Sequence, residues 1–363
     1  MHLLKHAVRG NGSVHVAADL ACAQADAGHE VAFVSARGAY NELLRRHKVE
    51  VIDIPEASGW RKTPSSAGAL LRVALRYRPD IIHAHMKSSA VIGFVVSKAV
   101  RATLVTTMHN SFDRHSILMR LGKVVVAVSE AERQLLLSRG YPSSQVVTVL
   151  NGADASPRED LPPDDIGPLN RPCVITLSGL HKRKAVGDVI LAFADVASQF
   201  PQWHLNIVGW GPEREELEAK VAQLDLGERV HFMGSTLTPR PLLDAADIFA
   251  TASLADPFQL TVAEARAAGC AIVATAVGGV PEVLEQGQAG LLTPPHDPAA
   301  MAAAFRTLMA DEQVLRAWQA KAKDGAEYFT VARMAKDYEE VYRSVLRPAT
   351  RAKAAVGNRK IVS

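Results

Sequence analysis

Twice along the chain, short runs of β-branched and small apolar residues alternate with longer stretches of helical periodicity. The first series contains Val31-Ala32-Phe33-Val34, Asp80-Ile81-Ile82-His83, Thr103-Leu104-Val105-Thr106 and Val124-Val125-Val126-Ala127-Val128. The second contains Val174-Ile175-Thr176-Leu177, Leu205-Asn206-Ile207-Val208, Val230-His231-Phe232, Ile248-Phe249-Ala250 and Ala271-Ile272-Val273-Ala274. Apolar runs of this kind suit strands covered by helices on both faces, the pattern of parallel sheets. Between the two series, Pro157, Pro162, Pro163, Pro168 and Pro172 rule out a sheet strand or a core helix. The sequence therefore predicts two Rossmann-like α/β domains, at 1–155 and 173–330, joined by a linker at 156–172. The amphipathic stretch 331–346 is expected to form a helix that packs back on the first domain, ahead of a basic, alanine-rich tail at 347–363.

Composition agrees with a globular chain, at 48% hydrophobic and 22% charged residues, and 363 residues is more than one core usually serves. No apolar run approaches the ~18 residues of a membrane span, and the first residues lack the apolar stretch of a secretory signal, so a cytoplasmic location is expected. Cys22, Cys173 and Cys270 are far apart and read as core fillers. The net charge of +3 is unevenly spread: residues 1–155 carry 19 Lys+Arg against 12 Asp+Glu, leaving 22 against 26 for the remainder. A basic first half, with Arg72, Arg76 and Arg78 around one helix, suits an anionic acceptor or peripheral contact with an anionic membrane at its inner face, or is simply a solvated surface.

In open α/β sheets ligands bind beyond the carboxyl ends of strands, so the turns after these runs are where chemistry is expected. Most informative is the stretch from Asp256 to Thr275, where a proline-bearing loop enters a short helix near Leu260 and Thr261, the helix ends at Gly269, and a buried strand follows. Unpaired amides at the helix start favour a diphosphate, and Glu264, about one turn inside, is a carboxylate able to accept from vicinal hydroxyls. Ser178-Gly179-Leu180-His181-Lys182-Arg183-Lys184 places cations beside the same crevice, where they would neutralise two phosphates and stabilise a departing nucleoside diphosphate. Arg9-Gly10-Asn11-Gly12-Ser13 precedes a helix whose amides face the cleft from the other side. His83 and His85, two apart, share a face, which suits either zinc or simple hydrogen bonding.

Taken in order, these motifs resemble the family 4 glycosyltransferases of the GT-B fold, in which two Rossmann-like domains present parallel sheets to one another across a cleft. Asp256 and Glu264 match the family's two acidic residues separated by seven, and Gly278-Gly279-Val280-Pro281-Glu282-Val283, Gly290-Leu291-Leu292 and Pro294-Pro295-His296-Asp297-Pro298 resemble its next block. The resemblance implies that Glu264 holds the ribose hydroxyls, Asp256 faces the donor sugar, and Gln259, Leu260 and Thr261 line the diphosphate. It makes Lys184 the donor lysine and Arg183 its arginine, beside Gly179. It places the turns at Gly209 and Met233 around the nucleobase, Gly12 at the diphosphate, and His109 beside the donor sugar, with His85 supporting the acceptor side. Val128-Ser129-Glu130 and Leu150-Asn151-Gly152-Ala153-Asp154 also match family blocks. The chain departs from the family with Asp at 256 in place of Glu and Gln at 259 in place of Gly.

The implied activity is transfer, with retention, of a sugar from a UDP- or GDP-linked donor to a glycan or lipid-linked acceptor, in cell-surface polysaccharide or lipopolysaccharide synthesis. No nucleic-acid partner is expected. The nucleotide-sugar is substrate and not cofactor, and with no Asp-x-Asp pair in the sequence no metal is expected to be required. Two rivals use the same scaffold: a nucleotide-sugar epimerase or hydrolase, and a non-catalytic nucleotide-sugar-binding subunit. A nicotinamide dehydrogenase is disfavoured, because His15 stands where a dinucleotide loop has its third glycine and Arg37 follows where a ribose-binding acid would be.

Overall fold

The computed structural model describes residues 1–8, 10–54, 63–162 and 164–346; the tail at 347–363 lies outside the described residues. The first sheet comprises β1 (His2–Ala7), β2 (Ala32–Gly38), β3 (Glu50–Asp53), β4 (Ile81–Ala84), β5 (Thr103–Met108), β6 (Val124–Ala127) and β7 (Val146–Thr148), in the order β3-β2-β1-β4-β5-β6-β7. The second comprises β8 (Cys173–Leu177), β9 (His204–Val208), β10 (Val230–Gly234), β11 (Ile248–Thr251), β12 (Ala271–Thr275) and β13 (Leu291–Thr293), in the order β10-β9-β8-β11-β12-β13. The pairings in both sheets are parallel. Helices cover both faces of each sheet, which is why every residue of β6, β8 and β12 is buried and why these strands read as unbroken apolar runs.

Both sheets are wound the same way, so each has one place where the strand order reverses: between β1 and β4 in the first, between β8 and β11 in the second. At such a point the loops leaving the two strands run in opposite directions and leave a crevice. The chain puts the glycine loop and His85 at one crevice, and Ser178–Lys184 with Asp256–Gln259 at the other.

The chain crosses between the sheets twice, and the two crossings are hydrogen-bonded to one another. Ala153 donates to the Phe329 carbonyl at 2.7 Å and Val331 to the Asp154 carbonyl at 3.0 Å. Gly152 permits this contact, since a Cβ there would lie 2.6 Å from the Thr330 carbonyl oxygen. After the second crossing, the helix Val331–Val345 joins the core of the first domain. Met334, Tyr338 and Val345 pack with Val16, Leu20, Val105 and Val126, and the Tyr338 hydroxyl bonds to Thr107 Oγ1 at 2.9 Å.

The helix Leu260–Ala268 ends at Gly269 in the left-handed conformation, φ 82°, as its sequence predicts. It is fixed from behind by Arg266, which is fully buried. Its guanidinium donates to the Ala322 carbonyl at 2.8 Å, the Val283 carbonyl at 2.6 Å and Glu285 Oε1 at 2.7 Å. Arg266→Met would leave these buried carbonyls without a donor and is expected to cost about 3–5 kcal/mol, read as a shift of the urea midpoint with unchanged slope. A loss below about 1 kcal/mol would contradict the assignment of Arg266 as the anchor of this helix.

Candidate functional site

Between the carboxyl ends of the two sheets lies a cleft of about 790 Å³, of the size that takes a small-molecule substrate. Of the residues singled out in the sequence, Gly12, His109, Gly179, Arg183, Lys184, Gly209, Asp256, Gln259, Leu260, Thr261 and Glu264 all line it. Met233 does not. Its apolar side chain packs against the core of the second domain, and the lining passes instead through Ser235, Thr236 and Leu237, beyond the turn at Gly234. His85 is likewise not in the lining; it is buried one layer beneath His109.

The cationic loop leaves β8 and closes in a tight turn, Lys182–Lys184, with Ala185 at φ 45°. Lys184 Nζ donates to Asp256 Oδ2 at 2.5 Å. Arg183 Nη1 donates to the Ala255 carbonyl at 2.6 Å and lies 3.5 Å from the same Asp256 oxygen, while its guanidinium sits 4.9 Å from the centre of the Phe112 ring on the first domain. Asp256 is therefore the counter-ion of both cations. The loop that carries it is held by Gly278, where a Cβ would lie 1.8 Å from the Asp256 carbonyl oxygen. Gly209 serves the backbone in the same way, at φ 157° and with its missing Cβ position 1.8 Å from the Ser178 carbonyl oxygen.

The start of the helix Leu260–Ala268 carries no side-chain cap. Gln259, where the cap would be, turns inward to donate from Nε2 to Thr251 Oγ1 at 2.7 Å. Gln259 Oε1 and Thr261 Oγ1 are buried without a hydrogen-bond partner. Uncapped amides at one cleft wall are costly for a folded chain and fit a ligand that accepts from them. One turn further in, Glu264 accepts from Arg158 Nη2 at 3.1 Å. Burial pushes its pKa up, and the adjacent guanidinium works against that rise.

On the first domain, His109 ends a chain of hydrogen-bonded rings that runs through the core. Gln24 Oε1 lies 2.8 Å from His2 Nε2, His2 Nδ1 lies 3.0 Å from His85 Nε2, and His85 Nδ1 lies 3.1 Å from His109 Nε2. With Gln24 Oε1 as the terminal acceptor, each neutral ring must donate from Nε2, so His109 keeps its proton on Nε2 and leaves Nδ1 as an acceptor. His83 bonds to Thr107 Oγ1 and the Tyr342 hydroxyl, each at 2.7 Å. Ligand nitrogens of His2, His83 and His85 come within 4.8 Å of one another, yet each ring nitrogen in this group is already engaged by a protein partner. Burial lowers the pKa of His2 and of His109 to about 3, and depresses His83 and His85 well below the usual value.

Three residues that support the site were not singled out by the sequence as functional. His2 lies in a strand that shows little β-branching. Arg158 stands in the proline-rich run. Glu282 accepts from the backbone N–H of Glu130 at 2.9 Å and so joins the domains at the start of the helix Glu130–Ser138, which Ser129 caps. For Glu282 the available signal was its place within a family-like block, for Arg158 a charged residue just after one; for His2 there was none.

Two family models match the chain: Glycosyltransferase Family 4 over residues 10–156 and Glycosyl transferases group 1 over residues 171–311. Among curated proteins, the N-acetyl-alpha-D-glucosaminyl L-malate synthase of Bacillus anthracis is 27% identical, covering 93% of this chain and 94% of its own. The phosphatidyl-myo-inositol mannosyltransferase of Mycolicibacterium smegmatis is 26% identical over 73% of this chain and 71% of its own. Among solved structures, Anabaena HepE in complex with UDP-glucose superposes with a TM-score of 0.82 at 24% identity, covering 95% of this chain and 99% of that one.

The histidine chain makes a direct prediction. In nitrogen-resolved NMR of the imidazoles, the rings of His2, His83, His85 and His109 should stay neutral from pH 8 down to about 5, with His109 protonated on Nε2; a ring among them titrating near 6.5 would contradict the geometry. The sign of the linked stability follows. These rings bind a proton when unfolded and not when folded, so their contribution is complete above about pH 6.5 and is lost as the pH falls towards the folded values.

Proposed function

The chain belongs to the family 4 glycosyltransferases and has their GT-B fold, and from that premise we propose that it transfers a sugar, with retention, from a UDP- or GDP-linked donor to a glycan or lipid-linked acceptor. The observation that carries this reading is the second domain's wall of the cleft, where Lys184 and Arg183 stand beside an uncapped helix start. Cations and helix amides there are arranged for the two negative charges of a diphosphate. Glu264, with one oxygen on Arg158, serves the ribose hydroxyls. A UDP-linked donor is favoured by the likeness to HepE, solved with UDP-glucose, and a lipid-linked acceptor by the likeness to a phosphatidyl-myo-inositol mannosyltransferase.

In the proposed reaction the bond between the anomeric carbon and the diphosphate oxygen breaks while the acceptor oxygen bonds to that carbon, and the acceptor's proton passes to the departing phosphate. Lys184 and Arg183 stabilise the charge that develops on the leaving group, a task for which preorganised cations in a partly dry cleft are well suited. This assigns Asp256 the role of holding Lys184 in place. His109, an acceptor at Nδ1, faces the sugar from the first domain. The reaction needs no metal for leaving-group stabilisation. The proposal includes peripheral contact with an anionic membrane at the inner face of the cell, supported by the helix Thr63–Tyr77, which exposes Arg72, Leu75 and Arg76 together. Among the described residues no helix is long and apolar enough to cross a membrane.

Donor turnover measured with and without acceptor, across a panel of UDP- and GDP-sugars, separates transfer from hydrolysis or epimerisation. Lys184→Ala is expected to lower kcat by roughly 10²–10³-fold, and Glu264→Ala to weaken donor binding by about tenfold or more, each with the fold retained by circular dichroism. Full activity in both variants would overturn the site assignment.

A further inference from the structure

Arg158 lies in the run between the domains that reads from sequence as a spacer, yet it is among the most deeply buried charged groups of the protein, 3% exposed. Its turn, Pro157–Asp160, is closed by a reciprocal cap in which Ser156 Oγ accepts from the Arg158 N–H and Glu159 accepts from the Ser156 N–H. The side chain reaches both domains. Nε donates to the two oxygens of Asp19, each at 3.1 Å, and Nη2 donates to Glu264 Oε1 at 3.1 Å. Asp19 also accepts from Ser156 Oγ at 2.9 Å.

The two carboxylates stand on helices with a special position. Asp19 is on the helix Gly12–Asp26, directly behind the glycine loop, and Glu264 is on the helix Leu260–Ala268. The starts of these helices meet across the cleft, since a Cβ on Gly12 would lie 3.5 Å from Leu260 Cδ1. Asp19 has its acceptors filled. Glu264 does not: among the described residues Oε2 accepts no hydrogen bond, and the residue lines the cleft. A buried ion pair is a poor way to gain stability compared with apolar packing, so a guanidinium that spans two domains and leaves one oxygen of a cleft-lining carboxylate unpaired calls for another explanation.

We propose that Arg158 is a positioning residue of the donor site: it fixes Glu264 through Oε1 so that Oε2 meets the ribose hydroxyls, and it braces that carboxylate against the helix behind the glycine loop. The inference rests on the reading of Glu264 as the ribose-binding carboxylate. Its chemistry is specific. Burial favours the protonated form of Glu264, and Arg158 opposes this. A protonated carboxyl would present an O–H where a diol needs acceptors. No partner other than a nucleotide's own sugar is required.

The test compares UDP with 2′,3′-dideoxy-UDP by calorimetry on the full chain. The unaltered protein should bind UDP about tenfold or more tightly than the dideoxy analogue. In Arg158→Lys, which keeps the charge but not the forked geometry, UDP should weaken by about that factor while the analogue changes less than about twofold, so that the preference for the hydroxyls disappears. A melting curve on each variant shows that it is folded; Arg158→Ala leaves two buried carboxylates without their cation, so where it fails to fold the lysine variant alone decides. Equal weakening of both nucleotides, or wild-type affinity for both, would overturn the proposal and leave Arg158 a structural brace. Equal affinities in the unaltered chain would instead defeat the ribose assignment itself, and the proposal with it.

Discussion

The geometry of the site depends on the hydrogen-bonded pair of crossings at Ala153–Asp154 and Phe329–Val331. A parallel sheet concentrates its ligand-binding loops at one end, and two such sheets form a shared cleft only when those ends are turned towards each other. Binding the two crossings together does this at the point where both strands of chain pass between the domains. The helix Val331–Val345 then returns to the first domain and seals Tyr338 and Val345 into its core, tying the two domains together on the side of the crossings. Glu282, reaching the first turn of the helix Glu130–Ser138, adds a charged contact between the two.

Charge in the cleft is balanced between two clusters, a surplus of cation around Asp256 offsetting a surplus of carboxylate around Arg158. Lys184 and Arg183 share Asp256, and Arg158 stands between Asp19 and Glu264. In the proposed donor complex, a diphosphate beside Lys184 would compete with Asp256 for the cation, limiting the energy gained on binding but keeping the lysine ordered. The shorter side chain at 256 reaches Lys184 at 2.5 Å, so aspartate here suffices to hold the lysine. At 259, the glutamine amide fills the place behind the helix start and bonds to Thr251, a contact a glycine would lack.

Much of this was visible in the sequence, for identifiable reasons. Strands such as β6 and β12, covered on both faces, could only be written in apolar residues, and the turns that follow them carry the chemistry. The acidic pair, the cationic loop and the glycine loop were accordingly found where the structure places the cleft. Strands β3, β7 and β13 have only three or four residues and sit away from the centre of their sheets, leaving too little pattern to read. β1 is central but contains His2 and His6, and His2 belongs to a polar ring chain inside the domain that no local periodicity reports. Met233 is expected near the nucleobase from its position in a block; its side chain packs on the apolar core, and the cleft lining runs through the residues after the turn at Gly234. Arg158 was hidden by its surroundings: prolines mark a linker, and nothing local shows that one side chain within it is drawn into the site.

The central claim is that one diphosphate is gripped from both lobes, by the helix start at Leu260 and by the glycine loop at Gly10–Ser13. Backbone hydrogen exchange followed residue by residue, with and without UDP, addresses it directly. The account predicts slower exchange at 259–262 and at 11–13 together, rising with nucleotide concentration along a single binding curve. Protection confined to one lobe, or slowing at neither segment while UDP is bound elsewhere, would contradict it.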